Sequence, residues 1–275
     1  MLITGCSTGI GRATALRLAR AGLTVYATAR REETIAELRA AGCRILPLDV
    51  TDEASMRAAV AAVEAEHGAV GALVNNAGYS QSGALESLPI SDLRAQFDTN
   101  VFGLMRMCQL VLPGMRRAAW GRIVNLGSMG GRLTFPGGGA YHATKHAVEA
   151  LSDALRFEVA GFGVKVVLIE PGFIRSEFAA TATGGIPATG DTYRSFNADV
   201  ARITDEAYSA GLLGALGGDP EHVAKAVERA IVRRDPPARI PVTPSAHVLL
   251  AVHRALPDAA WDRFLTTRYR HPAAD

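Results

Sequence analysis

Short apolar runs and segments of helical period alternate through the first two-thirds of the chain. Runs of strand length stand at Met1 to Thr4, Leu23 to Ala29, Arg44 to Leu48, Val70 to Asn75, Arg122 to Leu126 and Val164 to Ile169. Between them, Ile10 to Ala21 and Asp52 to His67 carry apolar residues at helical spacing. Each is followed by a glycine, Gly22 and Gly68, the residue best suited to end a helix in a left-handed turn. Such alternation predicts parallel strands joined by right-handed crossovers, with helices on both faces. The expected architecture is an α/β fold, a doubly wound parallel sheet of about seven strands. It forms one domain over residues 1–250, with residues 251–275 as a helical extension packed on it.

Several stretches depart from the regular pattern. Only Met1, Leu2 and Ile3 precede Thr4 and Gly5, so either the chain starts late relative to its first strand or the core is thin at that edge. Residues 179–190 are mostly small or Thr, which reads as a mobile lid with little core of its own. Pro236, Pro237, Pro241 and Pro244 crowd the run Arg239 to Thr243, which therefore fits only an edge strand, because proline cannot donate to a ladder. Beyond it, Leu249, Leu250, Trp261 and Phe264 stand among arginines, as in amphipathic helices that pack back on the domain. Met105, Met107 and Met115 fall in a long helical segment, Ser91 to Arg117, and suit helix packing.

Composition narrows the function classes. The 275 residues suffice for one sizeable core. Lys and Arg number 29 against 27 Asp and Glu, a net charge of +2 without a basic stripe, so nucleic acid is not an expected partner. Cys6, Cys43 and Cys108 are odd in number and set in apolar runs, which suits buried thiols in a reducing compartment. No metal is expected, and His142 and His146 take surface or packing roles. No apolar run approaches 18 residues and no charged leader opens the chain, so a cytoplasmic protein without stable membrane insertion is expected. Arg263, Arg268 and Arg270 near Trp261 and Phe264 are a slight pointer to a membrane surface.

The glycine-rich segment Thr4-Gly5-Cys6-Ser7-Thr8-Gly9-Ile10-Gly11 lies between the first strand and the first helix. There a turn poor in side chains lets backbone N–H groups meet a pyrophosphate at the helix N-terminus. Read alone, its G-x-x-x-G-x-G spacing fits an ordinary tight turn equally well. About 20 residues on, where an NAD enzyme places a carboxylate on the ribose 2′-hydroxyl, the chain reads Ala29-Arg30-Arg31. Guanidinium groups attract a 2′-phosphate, so NADP(H) is preferred over NAD(H); the competing reading is a solvated helix start. Asp49, with Val50 beside it, ends the third strand, where either turn chemistry or an adenine contact fits. Asn76, Ala77 and Gly78 follow the fourth strand as an Asx turn or as the wall beside a flat ligand.

Tyr141 and Lys145 are four residues apart, so a helix places them on one face. A phenol exchanges protons near neutral pH only with help, and an adjacent cation is one form of it. Ser128 follows the fifth strand, thirteen residues before Tyr141, and could donate to a substrate oxygen while Tyr141 transfers the proton. Alone, a YxxxK spacing occurs on solvated helices, and a serine after a strand is commonly a cap.

Taken in order, TGCSTGIG, Asp49, Asn75-Asn76-Ala77-Gly78, Asn100, Ser128 and Tyr141-His142-Ala143-Thr144-Lys145 resemble the short-chain dehydrogenase/reductase family over roughly residues 1 to 250. The resemblance implies a Rossmann-type fold and hydride transfer between an alcohol and a ketone or aldehyde, with Asn100, Ser128, Tyr141 and Lys145 as catalytic tetrad. In it Asn100 holds a water that relays protons from Lys145, which also binds the nicotinamide ribose. Gly5, Ser7, Thr8, Gly9, Ile10, Gly11, Arg30, Arg31, Asp49, Val50, Asn76, Ala77, Gly78, Tyr141 and Lys145 would contact the cofactor. Pro171, Gly172, Ile174 and Ser176 would receive the nicotinamide carboxamide, Ser176 standing where the family commonly has threonine. A homodimer or homotetramer is implied through the helix of residues 91–117 and the helix of Tyr141. Residues 26–30 (YATAR) and the long tail are similar to the hydroxysteroid and retinol dehydrogenase side of the family, hinting at a lipophilic small-molecule substrate with Phe135, Phe173, Phe178, Leu212 and Leu213 as pocket liners. A non-catalytic NADP(H)-binding regulator, or an epimerase or dehydratase, would use the same scaffold.

Overall fold

Leu2 and Ile3 make up the entire first strand, and neither side chain reaches solvent. Successive strand residues point to opposite faces, so Leu2 joins one hydrophobic cluster and Ile3 the other. The computed structural model describes residues 1–187, 191–208 and 212–272, with the backbone alone at 191, 212 and 213. Seven parallel strands form the sheet: β1 (Leu2–Ile3), β2 (Tyr26–Ala29), β3 (Arg44–Pro47), β4 (Ala72–Asn75), β5 (Gly121–Leu126), β6 (Val164–Pro171) and β7 (Arg239–Val242), in the order β3-β2-β1-β4-β5-β6-β7. This is the expected doubly wound sheet, with the proline-rich β7 at an edge. The brief β1 lies in the middle of the sheet and not at an edge, a correction to the expectation of a thin margin. β2 starts at Tyr26 and not at Leu23, because its ladder to β1 consists only of Leu2 with Tyr26 and Ile3 with Ala27.

One face is covered by α1 (Gly9–Arg20), the 3-10 helix Glu32–Ala41 and, later in the chain, Pro220–Val232, which supply Leu18, Ile35 and Val227 among others. The other face is covered by α2 (Glu53–His67), α4 (Leu104–Arg117) and α5 (Gly139–Val159). Asp52 caps α2 by accepting from the N–H groups of Ala54 and Ser55, which answers two donors that a helix start leaves unpaired. The long helical segment expected at 91–117 is present: α3 (Ile90–Phe97) runs through a π turn, Asp98–Gly103, directly into α4. Met107 and Met115 are fully buried and Met105, partly buried, packs against the same cluster, as helix packing requires. All three cysteines are buried and free, and burial pushes the thiols of Cys6 and Cys108 up to about 12.

Apart from α9 (Pro220–Val232), which covers the first face described, the remaining helices gather at the carboxyl ends of β5, β6 and β7. They are α6 (Phe178–Gly184), α7 (Asp191–Tyr208), α8 (Leu212–Ala215), α10 (Pro244–Ala255) and α11 (Asp258–Thr266). The stretch expected to be a mobile lid holds a helix, α6, with Ala182 buried; residues 188–190 lie outside the described residues. The extension expected from residue 251 begins within α10, which starts at Pro244 because proline suits a helix's first turn. Trp261 is 6% exposed and packs on Phe135 and His253, so it is a core residue and not part of a membrane-facing surface. Among the described residues no helix is long and apolar enough to cross a membrane.

Candidate active site

In a doubly wound sheet the strand order reverses where β1 and β4 lie side by side, and the crevice there is open at the carboxyl ends. The first wall is the turn after β1. Gly5 has φ +71°, a left-handed conformation, and a β-carbon on it would stand 2.9 Å from Cα of Ala77. Gly11 is tighter still: a β-carbon there would collide with the carbonyl oxygen of Gly5 and the side-chain amide of Asn76. Asn76 explains this closeness. Its Nδ2 donates to the carbonyls of Thr4 and Gly5 at 2.9 and 2.8 Å, and the Thr4 hydroxyl accepts from the N–H groups of Asn76 and Ala77 at 3.0 Å each. Four hydrogen bonds thus lock the two strand ends together. Asn76 is thus a brace between them, and it also faces the crevice.

The crevice between them holds about 2230 Å³ of empty space, part of it open to solvent. Of the residues expected at the nucleotide, Gly5, Ser7, Thr8, Gly9, Ile10, Arg30, Asp49, Val50, Asn76, Ala77, Gly78, Tyr141, Lys145, Pro171, Gly172, Ile174 and Ser176 line it. Gly11 lies behind the wall, against Gly5. Arg31 stands beside the wall and not in it: its side chain, like that of Arg30, is exposed, and its carbonyl accepts from the hydroxyl of Thr34 as the 3-10 helix begins. Asp49 does use turn chemistry, its Oδ1 accepting from the N–H and hydroxyl of Thr51 at 2.9 and 2.7 Å, while the residue still faces the crevice.

The sequence offered no sign that Tyr79, Asp98 and Thr99 would join this wall; Asp98 and Thr99 open the π turn, and Tyr79 follows Gly78 and is tied to that turn through Asn100. The same turn buries Asn100. Its Nδ2 donates to the Tyr79 carbonyl at 2.9 Å and to the Thr144 hydroxyl at 3.1 Å, and its Oδ1 accepts from the Tyr79 N–H at 3.1 Å. Asn100 therefore ties the π turn to α5 one residue before Lys145, and its side-chain hydrogen bonds go to Tyr79 and Thr144 and not to Lys145.

Ser128, Tyr141 and Lys145 come together. Ser128 caps the 3-10 turn Met129–Gly131 after β5, accepting from the Gly130 N–H at 3.0 Å. Lys145 donates from Nζ to the Leu126 carbonyl at 2.6 Å and lies 5.7 Å from the Tyr141 ring centroid. Burial pushes the Tyr141 phenol up to about 12, against the opposing effect of its hydrogen bond with Ser128. Burial draws the Lys145 ammonium down to about 8, and the charge of Glu149 one helical turn on partly restores it. Desolvation is the larger effect on the phenol itself, and Lys145 stands beside its ring as the expected cation.

Beneath Lys145, Glu149 accepts from Nε of Arg239 at 3.0 Å, and Glu170, fully buried, lies 3.5 Å from both Arg239 and Arg132. Burial, then the neighbouring Glu170, raises Glu149 to about 7.

A second cavity, with about 1020 Å³ of empty space that is partly open to solvent, adjoins the crevice, and Ser128, Tyr141, Gly172, Phe178 and Tyr208 line both. Its walls are mainly apolar and include the expected Phe135, Phe173 and Phe178; the side chains of Leu212 and Leu213 lie outside the described ones. Val200, Ile203 and Ala207 on α7 also line it, and their helical spacing was the signal that could have found them. His142 is a wall residue rather than a surface one. Its ring packs on Phe135 and Tyr141, Nδ1 meets the Gly130 carbonyl at 3.0 Å, and burial draws it down to about 4, so it is neutral. Among the described residues no group of His, Cys, Asp and Glu is arranged to hold a metal ion.

Comparison with known proteins adds to this geometry. The profile of a family described as short chain dehydrogenase matches residues 1–185. The chain is 36% identical over 271 residues to a 3-ketodihydrosphingosine reductase of Bacteroides thetaiotaomicron, covering 94% of this chain and 93% of that one. It is 34% identical over 272 residues to an NADPH-dependent 3-dehydrocapnine reductase of Ornithobacterium rhinotracheale, covering 95% and 94%. A solved short chain dehydrogenase/reductase of Burkholderia phymatum, in complex with NAD, superposes with a TM-score of 0.79 at 28% identity, covering 100% of this chain and 96% of that one.

Proposed function

The chain belongs to the short-chain dehydrogenase/reductase family, and we propose that within it this enzyme interconverts a lipophilic ketone or aldehyde and its alcohol, using NADP(H) in preference to NAD(H). The observation that carries this is the meeting of two cavities at one pair of hydroxyls. The larger is walled by a bare glycine turn and a helix start, the smaller by aromatic and aliphatic side chains, and Ser128 and Tyr141 belong to both. The relatives that reduce 3-ketodihydrosphingosine and 3-dehydrocapnine agree with the direction of carbonyl reduction.

The residues fit a dinucleotide on their own terms. Gly5 and Gly11 leave no room for side chains where the turn meets β4, which exposes the backbone N–H groups at the start of α1 to an anion. Arg30 stands in the crevice wall after β2, where a carboxylate would have opposed a 2′-phosphate. Pro171, Gly172, Ile174 and Ser176 would flank the nicotinamide and Asp49 and Val50 the adenine. When bound, the cofactor supplies the hydride chemistry.

The protein's part is proton transfer and position. In the reducing direction a protonated phenol is needed, and the buried Tyr141 hydroxyl is one at neutral pH. Ser128 holds the substrate oxygen against it and supplies the second hydrogen bond that a developing alkoxide requires. Lys145, kept beside Tyr141 by α5 and tied to β5 through Leu126, provides the cation that favours the phenolate once the proton has left. Asn100, its side chain committed to Tyr79 and Thr144, serves the relay to Lys145 through its main chain in the π turn, a distortion found often at functional sites. The aromatic walls exclude water from the reacting carbonyl.

Assembly as a homodimer or homotetramer through α4 and α5 is supported by Phe157, 84% exposed on α5, and Phe102, 61% exposed just before α4. The reduced, buried thiols suit a cytoplasmic setting. The decisive assay follows nicotinamide absorbance with NADPH or NADH over a panel of bulky apolar and small polar ketones. Stoichiometric NADPH oxidation with the bulky members is expected. Tight NADPH binding without turnover of any member would leave a regulator, and product formation without net NADPH oxidation an epimerase or dehydratase.

A further inference from the structure

The apolar cavity that holds Ser128 and Tyr141 has a wall of different origin, supplied by the C-terminal Phe264, Leu265, Arg268 and Tyr269. Arg268 is the only permanently charged side chain among the described residues that line the cavity, and its exposure places it at the mouth.

The segment is fixed in place. Arg270 donates from Nε and Nη2 to the two carboxylate oxygens of Asp199 on α7, at 2.8 and 3.0 Å, and its backbone N–H adds a third bond at 3.2 Å. The Asp199 side chain is 6% exposed, and these partners hold its carboxyl far below the usual carboxylate range. Tyr269 between them is buried enough for its phenol to be pushed up to about 12. The neighbouring arginines are satisfied, Arg202 by Asp199 and Glu206 and Arg270 by Asp199. Arg268 has no ion-pair partner among the described residues.

A guanidinium at the mouth of an apolar cavity, with no carboxylate partner among the described residues, is a receptor for a planar anion that can take two parallel hydrogen bonds. On the reading that the cavity receives the carbonyl compound, we infer that the substrate bears a carboxylate-like anionic group remote from its carbonyl, and that Arg268 binds that group while Tyr141 and Ser128 hold the carbonyl. The substrate class is then an amphipathic keto acid or hydroxy acid, apolar between its two polar ends. The C-terminal segment, clasped to α7 by Arg270, is its specificity element.

The test is a matched pair, an apolar-bodied keto acid and its methyl ester, assayed with NADPH on the unaltered enzyme, Arg268→Ala and Arg268→Lys. The acid should show a KM about tenfold or more below that of the ester, the size expected for a charge-assisted pair. Arg268→Ala should raise the acid's KM to the ester's with little change in kcat, and Arg268→Lys should recover part of the difference. Equal KM values for acid and ester in the unaltered enzyme, or an equal rise for both in Arg268→Ala, would overturn the inference. Calorimetric binding of the hydroxy acid to the NADP⁺-saturated enzyme separates the two readings. Arg268-dependent binding without turnover of either ketone would uphold the anion site and reject the reductase assignment. Turnover of both compounds without any effect of Arg268 would do the reverse.

Discussion

The ammonium of Lys145 lies beside the ring of Tyr141, 5.7 Å from its centroid, and donates at 2.6 Å to the carbonyl of Leu126 at the end of β5. One helix turn supplies the spacing of the pair and a strand end supplies its anchor. The lysine is thereby held within the site by the sheet itself, and the phenol stays protonated because it is buried.

Replacing Tyr141 by phenylalanine removes the proton donor and little else, since the ring keeps its contacts with His142 and Phe178. Turnover should fall by about 10²- to 10⁴-fold, with NADPH affinity nearly unchanged by fluorescence titration. Retention of more than a tenth of the activity would reject the acid role.

Reductase activity should decline as pH rises through about 8, where Lys145 gives up its proton. Burial sets that value and Glu149 opposes it, so Glu149→Gln should move the decline toward neutrality. Glu149 itself titrates near 7, and below that pH it is protonated and the two enzymes should converge. Superimposable pH–rate profiles across the whole range would count against this coupling.

His142 titrates at about 4 in the folded protein against its ordinary 6.5, because burial disfavours the imidazolium. As pH falls the unfolded chain takes up this proton first, so the stabilisation is present above about 6.5 and is lost as pH drops toward 4. Thermal melts at pH 7 and pH 4.5 should show a smaller acid loss for His142→Gln than for the unaltered protein; an equal loss would show that His142 does not contribute.

Asn76→Ala deletes two hydrogen bonds that join the glycine turn to β4. The expected cost is about 1–3 kcal/mol of stability, together with weaker NADPH binding, measured by denaturant titration and calorimetry. Weaker binding without a stability loss would make Asn76 a ligand contact and not a brace.

Arg30→Ala should raise the KM for NADPH by about tenfold or more and leave that for NADH within about twofold, as loss of one charge-assisted bond to a 2′-phosphate requires. Arg31→Ala, outside the crevice wall, should affect neither strongly. Parallel changes in both cofactors would refute the assignment of Arg30.

The alternation of apolar runs with helical segments determined the parallel sheet, its seven strands and its two covered faces, because periodicity encodes which sides of an element are buried. The order of the motifs likewise placed Ser128, Tyr141 and Lys145 in one site, since strand ends and a helical spacing of four are local facts. What the sequence could not decide were effects of packing between distant segments. The fully buried, two-residue β1 is central because β2 and β4 flank it, and no count of its own residues reveals that. Asn76 became a brace because the ends of β1 and β4 meet beside it. The high phenol pKa of Tyr141 arises from solvent exclusion by residues scattered along the chain, and the Arg270–Asp199 clasp joins positions 71 residues apart. Desolvation and long-range pairing are properties of the assembled core, so only the tertiary structure set them.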